Sequence, residues 1–130
     1  MGPVDALPPE LVPAGFQVSA TQLNAYAALT RDTNPIHLDH RFAASTPFGK
    51  CIAHGTLSLN ALWQSIEQTL GPVHTDRAPA LTLDIRFTAP VYVDEQLLGG
   101  GSLRQDRANV YDVWVKAGGR TVIAGELIVE

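Results

Sequence analysis

Residues 54–71 read HGTLSLNALWQSIEQTLG, and this stretch predicts one long buried helix. Apolar residues recur in it at helical spacing and form one stripe, which consists of Leu59, Trp63, Ile66 and Leu70. Further apolar residues widen this stripe well past one face: Leu57, Ala61 and Leu62. A helix that is apolar around most of its circumference is buried, so we expect this one inside the fold, with Gly71-Pro72 as its stop.

After residue 79 the period of the sequence changes to two, which is typical of strands. Residues 81–88 alternate apolar and polar side chains and predict a half-buried strand, with Val91–Val93 as its candidate continuation beyond Pro90. Further strands are predicted at 96–104, 109–116 and 121–129, with a hairpin turn at Gly118-Gly119. One long apolar helix followed by an antiparallel meander predicts an α+β architecture in which the sheet wraps around that helix.

The first helix is predicted by a capping-box pattern at Ser19 and Gln22. It should end near residue 31 or 32, because Pro35 disfavours helical geometry at the residue before it. The segment DTNPIH, residues 32–37, then becomes a tight turn. Residues 39–48 are expected to form a short helical turn.

The chain has 130 residues, the common size for one hydrophobic core. Residues 1–15 are rich in Pro and Gly without periodicity and are expected to be an extended lead-in, so we place the single domain at 16–130. Charged residues make up only 17% of the chain. A surface with so few charged residues indicates that part of it contacts another subunit.

Composition excludes several classes of function. The net charge is −4 and no Lys/Arg run exists, which argues against nucleic-acid binding but not against one phosphate-bearing coenzyme. Cys51 is the single cysteine, so no internal disulfide can form. The N-terminal sequence lacks a basic start followed by an apolar run, and no stretch approaches the ~18 apolar residues of a membrane span. We therefore expect a cytoplasmic protein without membrane contact.

The residues that carry chemistry are concentrated around Asp32 and His37. Five residues apart on one helix, they would point in different directions, but the break at Asn34-Pro35 lets both side chains converge. A carboxylate beside an imidazole is a general acid–base pair, since histidine titrates near neutral pH.

A second element of the site is the start of the long helix at Gly55. Free N–H groups at a helix N-terminus, aided by the helix dipole, can hold a developing oxyanion, and glycine allows close approach of a substrate carbonyl. Together with the acid–base pair, these donors suit chemistry at the alpha and beta carbons of a thioester. No Ser, Cys or Lys lies in a recognisable nucleophilic setting.

Two motifs resemble those of a known family. Residues 32–37, DTNPIH, and residues 52–55, IAHG, look like the hydratase signature of MaoC-like proteins, the (R)-specific enoyl-CoA hydratases and 3-hydroxyacyl dehydratases. Residues 84–91 are similar to the strand that follows in that family. The resemblance covers roughly residues 16–130, and the two motifs together are specific where a bare Asp-His pair would be weak.

The resemblance implies a hot-dog fold and a homodimer or dimer of dimers that needs no cofactor. It implies that Asp32 and His37 hold the reacting water for syn addition to a trans-2-enoyl thioester, carried by coenzyme A or an acyl carrier protein. The Gly55 amide is implied to contact the thioester oxygen. Asn34 and His54 are expected to support the pair, and the division of proton transfers between Asp32 and His37 stays open.

Asn60 is a departure from the family pattern. Six residues past the motif histidine, the better-known hydratases place a serine that supports the catalytic aspartate, whereas this chain has Asn60. Its amide could donate a hydrogen bond to Asp32 instead, so we expect activity to survive.

Other interpretations of single residues are plainer. His54 is interpreted as structural, holding the turn before the buried helix. A metal site drawn from His37, His40 and His54 is not expected, because no cluster of Cys or Glu completes a ligand set. Gly99-Gly100-Gly101 is interpreted as a loop or bulge between strands.

Two rival functions remain. An acyl-CoA thioesterase would need a carboxylate in the long helix, and Glu67 is the only acid there, far from the helix start. A subunit of a heteromeric hydratase, without catalysis of its own or dependent on a partner, would be favoured by loss of Asp32 or His37, and both are present.

Overall fold

The computed structural model describes residues 7–71 and 80–130. Within these ranges the elements are β1 (Glu10–Gln17), α1 (Ala20–Thr30), α2 (Pro35–Leu38), α3 (His40–Ala44), α4 (Gly55–Leu70), β2 (Leu81–Phe87), β3 (Gln96–Leu103), β4 (Val110–Ala117) and β5 (Arg120–Val129). The predicted Pro72 of the helix stop lies outside the described residues. No helix in the described ranges is long and apolar enough to cross a membrane.

The five strands form one antiparallel sheet in the order β1-β3-β4-β5-β2. Helix α4 packs against β1, β3 and β4, and its buried residues lie in the same core as the inward-facing side chains of the strands. The predicted α+β architecture, an antiparallel sheet around a long apolar helix, is confirmed.

The local signals at the helix ends and the last hairpin are confirmed. Ser19 and Gln22 form both hydrogen bonds of a capping box at the start of α1, and Arg31 ends that helix in the left-handed conformation with φ 61°. Gly118 and Gly119 both have positive φ and join β4 to β5 in a two-residue turn. By contrast, Val91–Val93 forms no further strand; Tyr92 makes a single bridge to Ile52.

Residues 10–15 belong to the sheet, although we expected them in a lead-in before the domain. They form most of β1, which pairs along the edge with β3. Pro13 is tolerated because an edge strand has one unpaired side, and the register shifts between Leu11 and Ala14 as in a bulge. These two irregularities remove the period-two pattern on which the sequence prediction depends.

The segment Gly99-Gly100-Gly101 lies inside β3, so its interpretation as a loop or bulge is wrong. The reason for Gly99 is the closeness of α4, because a Cβ on this residue would overlap the backbone carbonyl of Ala61. Gly100 is different, because a Cβ there would meet the side chain of Trp114 at 3.1 Å. The lack of a side chain at Gly99 therefore determines how closely the buried helix can approach the sheet.

We predict that Gly99→Ala destabilises the fold by about 3 kcal/mol, because helix and strand backbones must separate to admit one methyl group. Urea unfolding measures the change in the free energy of unfolding. Gly100→Ala is the matched control and should cost less, since the Trp114 side chain can move aside. Equal losses in the two variants would contradict the close-packing explanation.

Candidate active site

The turn after α1 is built by local hydrogen bonds that the sequence encodes. Asn34 caps α2 by accepting a hydrogen bond from the Ile36 N–H at 3.0 Å, with Pro35 at the first helical position. The Asn34 N–H in turn donates to Asp32 Oδ1 at 3.4 Å. Sequence reasoning expected a turn here but missed the short helix α2, which carries His37 back toward Asp32.

The structure brings Asp32 and His37 together, as the break at Asn34-Pro35 predicts. Asp32 Oδ2 lies 3.8 Å from His37 Nε2; the aspartate side chain is 52% exposed and the histidine 11%. His37 Nδ1 lies 2.7 Å from the Ile52 carbonyl oxygen, which can only accept a hydrogen bond. Nδ1 therefore carries the proton, and in the neutral ring Nε2 presents its lone pair to Asp32.

His54 connects this pair to the buried helix. Its Nε2–H donates to the backbone carbonyl of Asp32 at 3.0 Å, and its ring stacks on His37 with centroids 3.8 Å apart. The Tyr26 ring meets His54 edge-on at 5.1 Å. From the sequence we expected a structural role for His54. Its hydrogen bond to Asp32 and its stacking on His37 were not predicted, since no spacing rule links residues 32 and 54.

Gly55 is the first residue of α4, and its N–H is available for a ligand. His54 stands at the cap position without a side-chain cap bond, while the N–H groups of Leu57 and Ser58 bond to the His54 carbonyl. The Gly55 N–H has no acceptor in residues 7–71 or 80–130, as is usual at a helix start. The sequence therefore places the free amide one residue from the histidine that touches both members of the acid–base pair.

A cavity of about 340 Å³ opens beside Gly55. Most of its lining is apolar, including Phe48, Phe87 and Val91. Arg120 holds one wall in place by donating to the Pro90 carbonyl at 2.9 Å. This arrangement can receive an apolar group next to a hydrogen-bond donor.

The charge on Arg120 is itself balanced within that wall. Its guanidinium makes two hydrogen bonds to the Glu95 carboxylate, at 2.6 and 2.8 Å. These bonds lower the pKa of Glu95 below its ordinary value, so the carboxylate stays ionised near neutral pH. The wall of the cavity thus rests on an ion pair that persists at physiological pH.

Asn60 lies on a different side of α4 from this cavity. It lines a groove of about 510 Å³ between α1 and α4, together with Tyr26, Leu29 and Trp63. Among the described residues, Asn60 makes no hydrogen bond to Asp32, so the suggested replacement for the family serine is not formed here. Glu67 lines the same groove.

Three side chains of the site have the donor types of a metal site. One ligand atom each from Asp32, His37 and His54 lies within 4.8 Å of the others. His40 is not in this group; its Nδ1 lies 3.6 Å from Cys51 Sγ. Burial raises the pKa of the Cys51 thiol, which therefore stays protonated and is no nucleophile.

Several known proteins are similar to this chain in sequence and in fold. An (R)-specific enoyl-CoA hydratase from Aeromonas caviae is 30% identical over 119 residues, which make up 85% of this chain and 84% of that protein. The solved structure of the (R)-hydratase from A. caviae involved in PHA biosynthesis matches with a TM-score of 0.73 and 25% identity, over 100% of this chain and 98% of that one.

A second solved structure, unliganded R-hydratase PhaJ1 from Pseudomonas aeruginosa, matches with a TM-score of 0.76 and 25% identity, over 95% of this chain and 79% of that one. The hot-dog fold implied by the two motifs is thus confirmed. The family model described as MaoC like domain matches residues 9–118, so it also includes β1. Because that match spans most of the sequence, the chain belongs to the MaoC-like domain family.

Proposed function

We propose that this chain is a hydro-lyase that reversibly hydrates a trans-2-enoyl thioester to the (3R)-3-hydroxyacyl thioester. The observation that carries the proposal is that Asp32 Oδ2 and His37 Nε2 face each other at 3.8 Å, and that both contact His54, the residue before Gly55. Membership of the MaoC-like family and 30% identity to a protein named (R)-specific enoyl-CoA hydratase support it.

The pair is suited to holding one water. Both facing atoms are hydrogen-bond acceptors, and 3.8 Å is too long for a direct hydrogen bond between them. A water that donates one hydrogen to each acceptor would keep its oxygen lone pairs free to attack the beta carbon. Asp32 and His37 then take a proton from this water and return one to the alpha carbon on the same face, acting as one unit.

The start of α4 supplies the stabilisation that this reaction needs. As water adds to the beta carbon, negative charge develops on the thioester oxygen, and the Gly55 N–H at the positive end of the helix dipole is the donor for it. We assign the acyl group to the cavity beside Gly55, whose volume of about 340 Å³ is at the lower end of the range for small-molecule sites. Coenzyme A and an acyl carrier protein are both compatible carriers.

The thioesterase alternative is less favoured. Glu67 is twelve residues after Gly55 in α4, which corresponds to about 18 Å along the helix axis. It lines the groove on the α1 side and not the cavity beside Gly55. A carboxylate that activates water at the thioester carbonyl would have to lie near the free amide.

We further propose that the chain acts as a homodimer, alone or within a dimer of dimers. Among the described residues, strand β2 pairs only with β5, and it carries Phe87 with 53% of its surface exposed. An edge strand that carries a half-exposed aromatic side chain is a site for a second copy. The cytoplasmic location and the absence of a metal or cofactor remain predictions.

The hydratase proposal predicts that the purified chain consumes crotonyl-CoA and forms the (3R)-hydroxy product. Asp32→Asn and His37→Ala should each lower kcat by about 10²-fold or more, because each removes one member of the acid–base pair. Loss of absorbance of the conjugated double bond measures the rate, and chiral analysis identifies the product.

His40→Ala is the control for this experiment, because His40 contacts Cys51 outside the pair and its removal should leave kcat unchanged. Crotonyl groups on an acyl carrier protein are assayed in parallel. A folded wild type that is inert on both carriers and on longer trans-2-enoyl thioesters would refute the proposed activity of this chain alone.

A further prediction concerns His54 as a positioning residue. His54→Phe keeps an aromatic ring against His37 but loses the donor to the Asp32 carbonyl, so kcat should fall by about 10-fold to 100-fold through misplacement of the pair. His54→Gln retains an N–H donor of similar reach and should keep more activity. If His54→Phe were as active as wild type, the bond to Asp32 would have no part in positioning.

The oligomeric state separates the main proposal from the heteromeric alternative. We predict that size-exclusion chromatography with light scattering gives twice the monomer mass of 13.9 kDa, or four times that mass. A stable, inactive monomer would favour a subunit that needs a partner. In that case activity should appear only when the partner chain is added.

A further inference from the structure

The hydroxyl of Ser58 is the feature of the site that the proposed reaction has not yet used. Ser58 lies in the first turn of α4, is 2% exposed and lines the same cavity as Gly55. Its Oγ has no hydrogen-bond partner among the described residues. Buried polar groups in native proteins are nearly always paired, so an exception at a cavity wall calls for an explanation.

The other hydroxyls nearby are paired, which makes Ser58 the exception. Ser65, two turns further along α4 and also buried, donates to the Val12 carbonyl at 2.6 Å. Thr88, which also lines the cavity, donates to the Thr121 carbonyl at 3.0 Å. The helix and the cavity can therefore satisfy a hydroxyl, and at Ser58 they do not.

The position of Ser58 relates it to Gly55. The two residues are three apart in α4 and so lie on one face of the helix, and helical side chains lean toward the N-terminus. The Ser58 hydroxyl is thus directed toward the turn that begins with the free Gly55 N–H. Much of the remaining lining is apolar, including Ala53, Val91 and Val122, and offers no hydrogen bond to a ligand.

We propose that the Ser58 hydroxyl donates a hydrogen bond to the thioester carbonyl oxygen of the substrate, as a second donor beside the Gly55 N–H. This inference rests on the proposed hydratase function. The carbonyl oxygen is the acceptor that a simple enoyl group brings to this end of α4, since its hydrocarbon part has none.

Two donors suit the charge that the reaction creates. The water oxygen forms a bond to the beta carbon, and the electron pair of the carbon–carbon double bond moves toward the carbonyl, so that the thioester oxygen becomes an enolate oxygen. The enolate then takes a proton at the alpha carbon and the carbonyl is restored. A donor to this oxygen acts most strongly at the enolate stage, where the charge is greatest.

We predict opposite effects from replacing two serines of α4: Ser58→Ala should lower activity but not stability, and Ser65→Ala should lower stability but not activity. Ser58→Ala should lower kcat on crotonyl-CoA by about 10-fold to 100-fold, the scale of losing one oxyanion donor, with a smaller change in KM. Its melting temperature should stay the same or rise, because a buried unpaired hydroxyl is removed and alanine favours the helix.

Ser65→Ala is the matched control. It should lower the melting temperature, because the Val12 carbonyl loses its donor, and leave kcat unchanged, because Ser65 lies away from the cavity. If Ser58 had a purely structural role, Ser58→Ala would likewise lower the melting temperature and leave kcat unchanged. Circular dichroism establishes that each variant is folded before its kinetics are compared.

A spectroscopic measurement tests the contact without turnover. Butyryl-CoA with ¹³C at the thioester carbonyl cannot be hydrated, and its infrared carbonyl stretch falls in frequency when donors bind the oxygen. We expect a downshift on wild type that Ser58→Ala reduces and Ser65→Ala preserves. This readout depends on the carbonyl contact alone and not on Asp32 or His37.

The outcomes separate the two proposals. If wild type hydrates crotonyl-CoA while Ser58→Ala keeps full kcat and an unchanged carbonyl stretch, the hydratase function stands and the Ser58 inference is overturned, with an ordered water as the partner of the hydroxyl. If wild type is inert yet shifts the butyryl-CoA carbonyl in a manner dependent on Ser58, the hydratase function fails and the contact stands. If wild type does not bind butyryl-CoA, the Ser58 inference is overturned.

Discussion

The hydrogen bond from His54 Nε2 to the carbonyl of Asp32 is the constraint on which the site depends. It fastens the turn after α1 to the first turn of the buried helix, two segments that are otherwise separated by α2 and α3. The same imidazole stacks on His37, so one side chain sets the positions of both members of the acid–base pair. Because α4 is held in the core, the turn is attached to a rigid, buried element of the fold.

That rigidity comes from close packing between α4 and the sheet. Gly99 lets the helix backbone lie almost against β3, and apolar residues on the buried side of α4 fill the space to the other strands. Polar side chains of α4 lie mainly on its exposed face, and the buried Ser65 hydroxyl is paired with the Val12 carbonyl. The two buried side-chain atoms without a partner in the described ranges, His54 Nδ1 and Ser58 Oγ, both belong to its N-terminal end. Imperfect satisfaction is typical of functional sites, where it is offset by good packing elsewhere.

The parts of the fold that could be predicted from the sequence are those in which a single residue or a short repeating pattern determines the local structure. The capping box at Ser19 and the turn at Gly118-Gly119 are local, and both are confirmed. The long helix α4 is also present, but the prediction that it is buried around most of its circumference was wrong, because Asn60, Gln64 and Gln68 form an exposed polar face. Strand β1 was missed because its edge position and bulge remove the alternation that marks a strand. In the site, Asp32 and His37 face each other because the helix is interrupted at Asn34-Pro35, which the sequence predicts. The hydrogen bond from His54 to Asp32 depends on tertiary packing, which no spacing in the sequence encodes.

The pairing of β1 with β3 also has a consequence for the order in which the fold can form. Leu11 pairs with Gly101, so a loop of about ninety residues must close before the edge of the sheet exists, and such long-range closure slows folding. During synthesis β1 is therefore made well before its partner strand β3. Until β3 has been made, the apolar residues of β1 lack their partner strand, and such exposed segments are where a partly folded chain is most prone to associate with other chains.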